Sequence, residues 1–186
     1  STGYMVLTSA MFALGLGGIY LYIFPIKNKE VLPRIALLSA IFSLTVPLVI
    51  PLFNILPFSV EITQDNKATQ IFAWAGMYIS IIIPFMVIGL ILAQVFLSYS
   101  NKINRLYFFD LLGAGIACLI FVPLITMFGP GGLLFVASSA GLLASFFFYR
   151  PLNILRYVVP IVAIFVLIIP LTIEDYIEFR GHANKR

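Results

Sequence analysis

Six long apolar runs, separated by short polar segments, organise the chain. The runs cover about residues 4–25, 34–57, 71–97, 106–128, 133–149 and 157–172. An α-helix needs about twenty predominantly apolar residues to cross roughly 30 Å of bilayer hydrocarbon. No run alternates apolar and polar residues as a membrane-spanning strand does. The pattern therefore predicts an all-α, polytopic membrane helix bundle with about six transmembrane helices, followed by a polar tail or linker over residues 173–186.

The composition places the chain in the same class and excludes several others. Hydrophobic residues make up 62% of the 186 and charged residues 10%, with a mean hydropathy of +1.10. Soluble domains are nearer half apolar and a quarter charged. The net charge of +4 comes from residues in short segments between apolar runs, which favours a lipid bilayer over nucleic acid as the partner. The single cysteine, Cys118, allows no disulfide framework within the chain, and with only one histidine as well we expect no metal site and no cofactor.

The distribution of basic residues predicts the orientation of the helices. Three of the segments between runs are basic, carrying Lys27, Lys29 and Arg34; Lys102 and Arg105; and Arg150 and Arg156. Because cytoplasmic loops of membrane proteins carry an excess of Lys and Arg, we expect these three segments in the cytoplasm. Ser1, the 59–70 segment and, by strict alternation, the tail then lie outside.

The start of the chain is unusual for a membrane protein. Residues 1–4 lead directly into the first apolar run with neither a methionine nor a basic segment before it. A signal peptide would need such a basic segment and a small-residue cleavage site. Two interpretations remain, an N-terminally processed product and a fragment whose preceding span is missing, and we favour the fragment.

Small residues cluster in two of the apolar runs. The first run contains ALGLGG, with Gly15 and Gly17, and the fourth contains GAGIAC, with Gly113, Ala114 and Ala117. Small residues four apart let helix backbones approach closely, so we expect these residues to pack against other helices. The GPGG sequence after the fourth run predicts a tight turn, with the fourth and fifth helices forming an antiparallel hairpin.

A small set of polar residues forms the candidate site. Asp110 lies near the start of the fourth run, close to Arg105 and Tyr107, and Gln94 lies near the end of the third. Carboxylates inside a membrane are costly and mark functional sites by default. Asp110 either accepts hydrogen bonds from these neighbours in a structural cluster or serves as a site for a proton, an amine or an ion. No Ser–His–Asp set, metal-ligand set or carboxylate pair accompanies it, so the pattern predicts no catalytic residue.

Prolines interrupt the second and third runs at Pro47, Pro51 and Pro84. Intramembrane prolines occur as ordinary bends and also as breaks around a substrate cavity in transporters. Both interpretations stay open at this stage.

The fourth run resembles a family signature. The sequence RLYFFDLLGAGIACLIFVPLITMFGPGGLLF is similar to the signature hairpin of membrane-bound spermidine synthase-like proteins, whose pattern is roughly Y-x-x-D-L-x-G-A-x-x-G. The chain matches it at Tyr107, Asp110, Leu111, Gly113 and Ala114, while Ala117 replaces the last glycine. The opening run is similar to the second span of that family.

The resemblance implies a membrane domain that is followed by a soluble aminopropyltransferase-like domain. The chain has no glycine-rich nucleoside loop and no catalytic acids, so any polyamine chemistry would need a domain beyond Arg186. We therefore expect a non-catalytic integral membrane domain, in a bacterial inner membrane, that acts as an anchor or interaction platform. Its partners would be other membrane protein subunits or the missing domain. Two alternatives are an accessory subunit of a respiratory or photosynthetic complex and a small-molecule or amine transporter domain.

Overall fold

The computed structural model describes residues 2–24, 31–55, 67–148, 161–163 and 165–166. Its long elements are α1 (Thr2–Ile23), α2 (Val31–Ile55), α3 (Lys67–Ser98) and α4 (Ile103–Phe148), with a short 3₁₀ turn at Ser100–Lys102 before α4. The described part of the chain contains no strand, which confirms the predicted all-α class. All four long helices are long and apolar enough to cross a membrane. The chain is therefore compatible with a multi-pass membrane protein.

The fourth helix is bent and has two arms. Only Gly129, with φ 66° and ψ 175°, leaves the helical conformation within its 46 residues. This positive φ is accessible to glycine without a steric penalty, and the missing N–H of Pro130 is tolerated at the start of the following helical segment. We call residues 103–128 the first arm and residues 130–148 the second arm. Each arm has roughly the length that a membrane span requires.

The predicted hairpin between the two arms does not form. Residues 107–123 of the first arm are all exposed, so the arms do not pack along each other. The GPGG sequence departs from helical geometry at one residue instead of forming a turn of several residues. The count of about six spans is not confirmed either, because the two predicted runs 106–128 and 133–149 lie in one bent helix.

The helices pack in the order α1, α3, α2 and the second arm of α4. As positions on the second arm rise from Ser138 to Ser145, their contacts on α2 fall from Ser43 to Ala36, so these two segments are antiparallel. The side chain of Gln94 near the end of α3 meets the start of α2, which makes α2 and α3 antiparallel as well. The start of α2 and the end of α3 therefore lie at one end of the bundle.

Some predictions fall on residues outside the described part of the chain. These are the polar tail 173–186 and most of the sixth apolar run, of which residues 161–163 and 165–166 are described and are helical. The assignment of the basic segments to the cytoplasm stays a prediction.

Candidate functional site

The first arm of α4 is the most unusual surface of the described structure. Every residue from 107 to 123 is exposed, including the apolar Leu119, of which 80% is accessible. The arm nevertheless belongs to the bundle at both ends. It begins directly after α3 and the 3₁₀ turn, and its last residue, 128, is followed closely by the buried Gly131 and Gly132 of the second arm. It is thus a membrane-length helix whose middle is exposed throughout.

The polar residues near the start of this arm have few partners. The Arg105 guanidinium lies 5.7 Å from the centre of the Phe109 ring, within cation–π distance. Among the described residues, Asp110 forms no hydrogen bond and no ion pair, and it is exposed, as is Tyr107. The structure therefore leaves a carboxylate exposed on an open helix.

The fourth member of the predicted polar set, Gln94, lies elsewhere. Only 2% of it is accessible, and its Nε2 donates a long hydrogen bond of 3.4 Å to the Val31 carbonyl at the start of α2. Its Oε1 is buried without a partner. The face of α3 that carries Gln94 is turned toward α2, so the structure does not bring Gln94 and Asp110 together.

The small residues of the first arm form a stripe that includes the carboxylate. At 100° per residue, Asp110, Gly113, Ala114 and Ala117 share one face of the helix, and Gly115 lies on the opposite face. A Cβ added at Gly113 or Gly115 would meet no atom within 4 Å. The predicted helix-packing role of Gly113, Ala114 and Ala117 thus has no partner helix in the described structure and stays a prediction.

The small residues of α1 have different surroundings from one another. A Cβ added at Gly17 would lie 2.6 Å from the Gly89 carbonyl carbon of α3, whereas one at Gly15 would meet nothing within 4 Å. Ala13, four residues before Gly17, is fully buried on the same face. Sequence reasoning did not single out Gly89, because an isolated glycine in an apolar run carries no signal of its partner.

A seam of hydroxyl groups joins α2 to the second arm of α4. The Ser138 hydroxyl donates to the Ser43 carbonyl at 2.6 Å, and the two Oγ atoms are 2.9 Å apart. The Ser145 hydroxyl donates to the Ala36 carbonyl at 2.8 Å. Gly141 lies between these contacts, and an added Cβ there would be 2.8 Å from the Phe42 ring.

Four further polar residues within the apolar runs have the capacity to bond between helices, and two of them do. Ser138 and Ser145 join α4 to α2, whereas the Ser139 hydroxyl bonds to the Val136 carbonyl of its own helix. The Oδ1 atom of Asn54 is buried without a partner. The missed residues of this seam, Ser43 and Gly141, show a usable signal, since small residues recur every three or four positions on both helices.

Comparisons of the chain with protein-family models, with curated proteins and with solved structures find no match. Within the described residues, no group of three or more His, Cys, Asp and Glu side chains lies close enough to hold a metal ion. The candidate site is therefore the exposed first arm of α4, a surface suited to contact with another helix.

Proposed function

We propose that this chain is a non-catalytic membrane domain of a spermidine synthase-like protein, and that it acts as an interaction platform through the first arm of α4. One observation carries the role of interaction platform: a helix of membrane length, joined to the bundle at both ends, is exposed along its middle. The spermidine synthase-like assignment and the bacterial inner membrane rest on the resemblance of the fourth apolar run alone.

The surface of the arm suits a second helix better than it suits lipid. Lipid-facing helices gain nothing from small residues, whereas the stripe of Gly113, Ala114 and Ala117 lets another backbone approach closely. A carboxylate exposed to lipid is also unfavourable, by about 2.5–3.5 kcal/mol at the centre of a helix on insertion scales and by less toward its ends. Asp110 shares the face of the small residues, so one partner helix would cover both features.

We propose that a transmembrane helix of another chain or domain covers the first arm of α4. A suitable partner has small residues along its contact face and a hydrogen-bond donor or a basic group near the depth of Asp110. The transporter alternative has less support, because the cavity that the described residues form between α2, α3 and α4 has an apolar lining and contains no carboxylate.

The test uses Cys118, the single cysteine, which is exposed on the same arm. A benzophenone attached to Cys118 in native membranes should produce a cross-linked product of discrete mass. Gly113→Ile should abolish this product, since the larger side chain separates the helices. Gly115→Ile is the matched control because it places the same side chain on the opposite face of the arm, and it should leave the product unchanged.

Three outcomes contradict the assignment: only lipid adducts form, both isoleucine variants behave alike, or the purified Gly113→Ile chain unfolds more readily than Gly115→Ile. The last result would show that the face of Gly113 packs within the domain itself. A product of twice the chain mass would identify the partner as a second copy.

A further inference from the structure

A cavity of about 190 Å³ lies where α2, α3 and the second arm of α4 meet. The lining side chains are Val49, Phe53, Met77, Ser80, Ile81 and Leu134. All of them lie within the three helices, and none belongs to the first arm. The cavity is therefore separate from the interaction surface described above.

The lining offers a ligand no hydrogen-bonding partner. Its one polar side chain, Ser80, donates its hydroxyl to the Gly76 carbonyl of the same helix at 2.7 Å. The remaining five lining residues are apolar. Water in a cavity needs two to four polar partners, and an engineered apolar cavity of about 150 Å³ in another protein stays dry and binds benzene. Water and polar solutes are therefore excluded as occupants.

The three helices enclose the cavity only in part, so it is partly open to the surface of the bundle. Its lining residues are half-buried apart from Ser80, and Leu52, three residues from Val49 on α2, is an exposed apolar residue at the surface of the bundle. A helix has a diameter of about 10–12 Å including its side chains, so a partner helix is too wide to enter the cavity. The adjoining bilayer supplies a flexible apolar chain of suitable width.

We propose that this cavity is a binding site for the end of a lipid acyl chain. The driving force for this binding differs from that of an apolar ligand entering from water, because the acyl chain leaves one apolar environment for another. The gain comes from dispersion contacts with lining atoms that otherwise lack neighbours. Protein interiors are close-packed, so an unfilled void of this size is unfavourable and the nearest lipid chain fills it.

The experiment uses phosphatidylcholine vesicles that contain a phosphatidylcholine with a diazirine at the end of one acyl chain. After reconstitution and illumination, mass spectrometry locates the labelled residues. The wild-type chain should carry label on Met77 and Phe53 inside the cavity as well as on the exposed Leu52. Ser80→Phe, which fills the cavity from α3, should remove the label from Met77 and Phe53 and leave Leu52 labelled.

A second variant and a control keep the result interpretable. Leu134→Trp fills the cavity from α4 and should give the same selective loss if Ser80→Phe fails to fold. Ile79→Phe adds a ring at an exposed position on the opposite face of α3 from the cavity and should preserve the wild-type pattern. An unlabelled Met77 in the wild-type chain, or equal labelling of Met77 in the filled variants, would overturn the assignment.

Discussion

Replacement of Gly17 by alanine should separate α1 from α3. The added Cβ would lie 2.6 Å from Gly89 C and from Leu90 N, whereas ordinary van der Waals contact begins at 3.4 Å. All of the crowded atoms belong to the backbone, so no side chain can rotate away. The helices must move apart by most of an ångström, and they lose close contacts along their interface.

The expected magnitude follows from a comparison with Gly15→Ala. Both substitutions replace a helical glycine by alanine. This replacement by itself stabilises a helix by about 0.8–1 kcal/mol in water. Gly15 has open space around it, so Gly15→Ala carries this propensity effect without a clash. The difference between the two variants isolates the steric cost, which we expect to be about 1–3 kcal/mol, the range for overpacked sites.

The assay is denaturant titration of the detergent-purified chain, followed by circular dichroism and by the fluorescence of Trp74, the single tryptophan, which lies on α3. Gly89→Ala should destabilise the chain as well, because its Cβ would lie 2.8 Å from the backbone of Leu14. The double variant should lose less than the sum of the two, since both changes force the same separation. Equal unfolding midpoints for Gly17→Ala and Gly15→Ala would refute the close approach of α1 and α3.

Three further substitutions test the other contacts. Ser138→Ala should cost about 1 kcal/mol of unfolding free energy, the scale of an interhelical hydrogen bond in a membrane. Ser139→Ala should cost less, because its bond stays within one helix. Equal losses would argue against the seam. Gln94→Met should change the unfolding free energy by less than about 1 kcal/mol, because it removes one long hydrogen bond together with an unpaired buried oxygen. A loss beyond about 2 kcal/mol would show that Oε1 has a partner. Asp110→Asn should leave the unfolding midpoint of the isolated chain unchanged, and a clear decrease would indicate a bonding partner within the domain.

The formation and approximate position of the long helices follow from the sequence. Backbone groups in hydrocarbon must bond within their own segment, so an apolar run of sufficient length becomes a helix whatever surrounds it. The run predicted at 71–97 lies within α3, Lys67–Ser98, and the run at 4–25 nearly coincides with α1, Thr2–Ile23. The largest departure is at Gly129, where a turn motif marks a bend between two arms.

Only the tertiary structure decided which face of each helix meets which neighbour. In a soluble protein, the apolar stripe of a helix identifies its buried face. In a membrane, lipid and protein interior are both apolar, so that signal is lost and small residues remain as the main guide. Small residues show that a backbone can be approached, but they do not identify the partner. Gly17 and Gly113 lie in similar clusters. A Cβ added at Gly17 would nevertheless collide with Gly89, whereas one added at Gly113 would meet no atom within 4 Å.

The same limitation explains why the residues of the predicted polar set do not all lie together. Gln94 and Asp110 lie near one end of consecutive helices, which made a shared cluster reasonable from their depth alone. Depth leaves the rotation of each helix about its axis undetermined. The rotation of α3 directs Gln94 to the Val31 carbonyl of α2, whereas Asp110 stays exposed on the first arm. The length and composition of the helices were therefore determined locally, whereas their contacts depended on packing between segments distant in sequence.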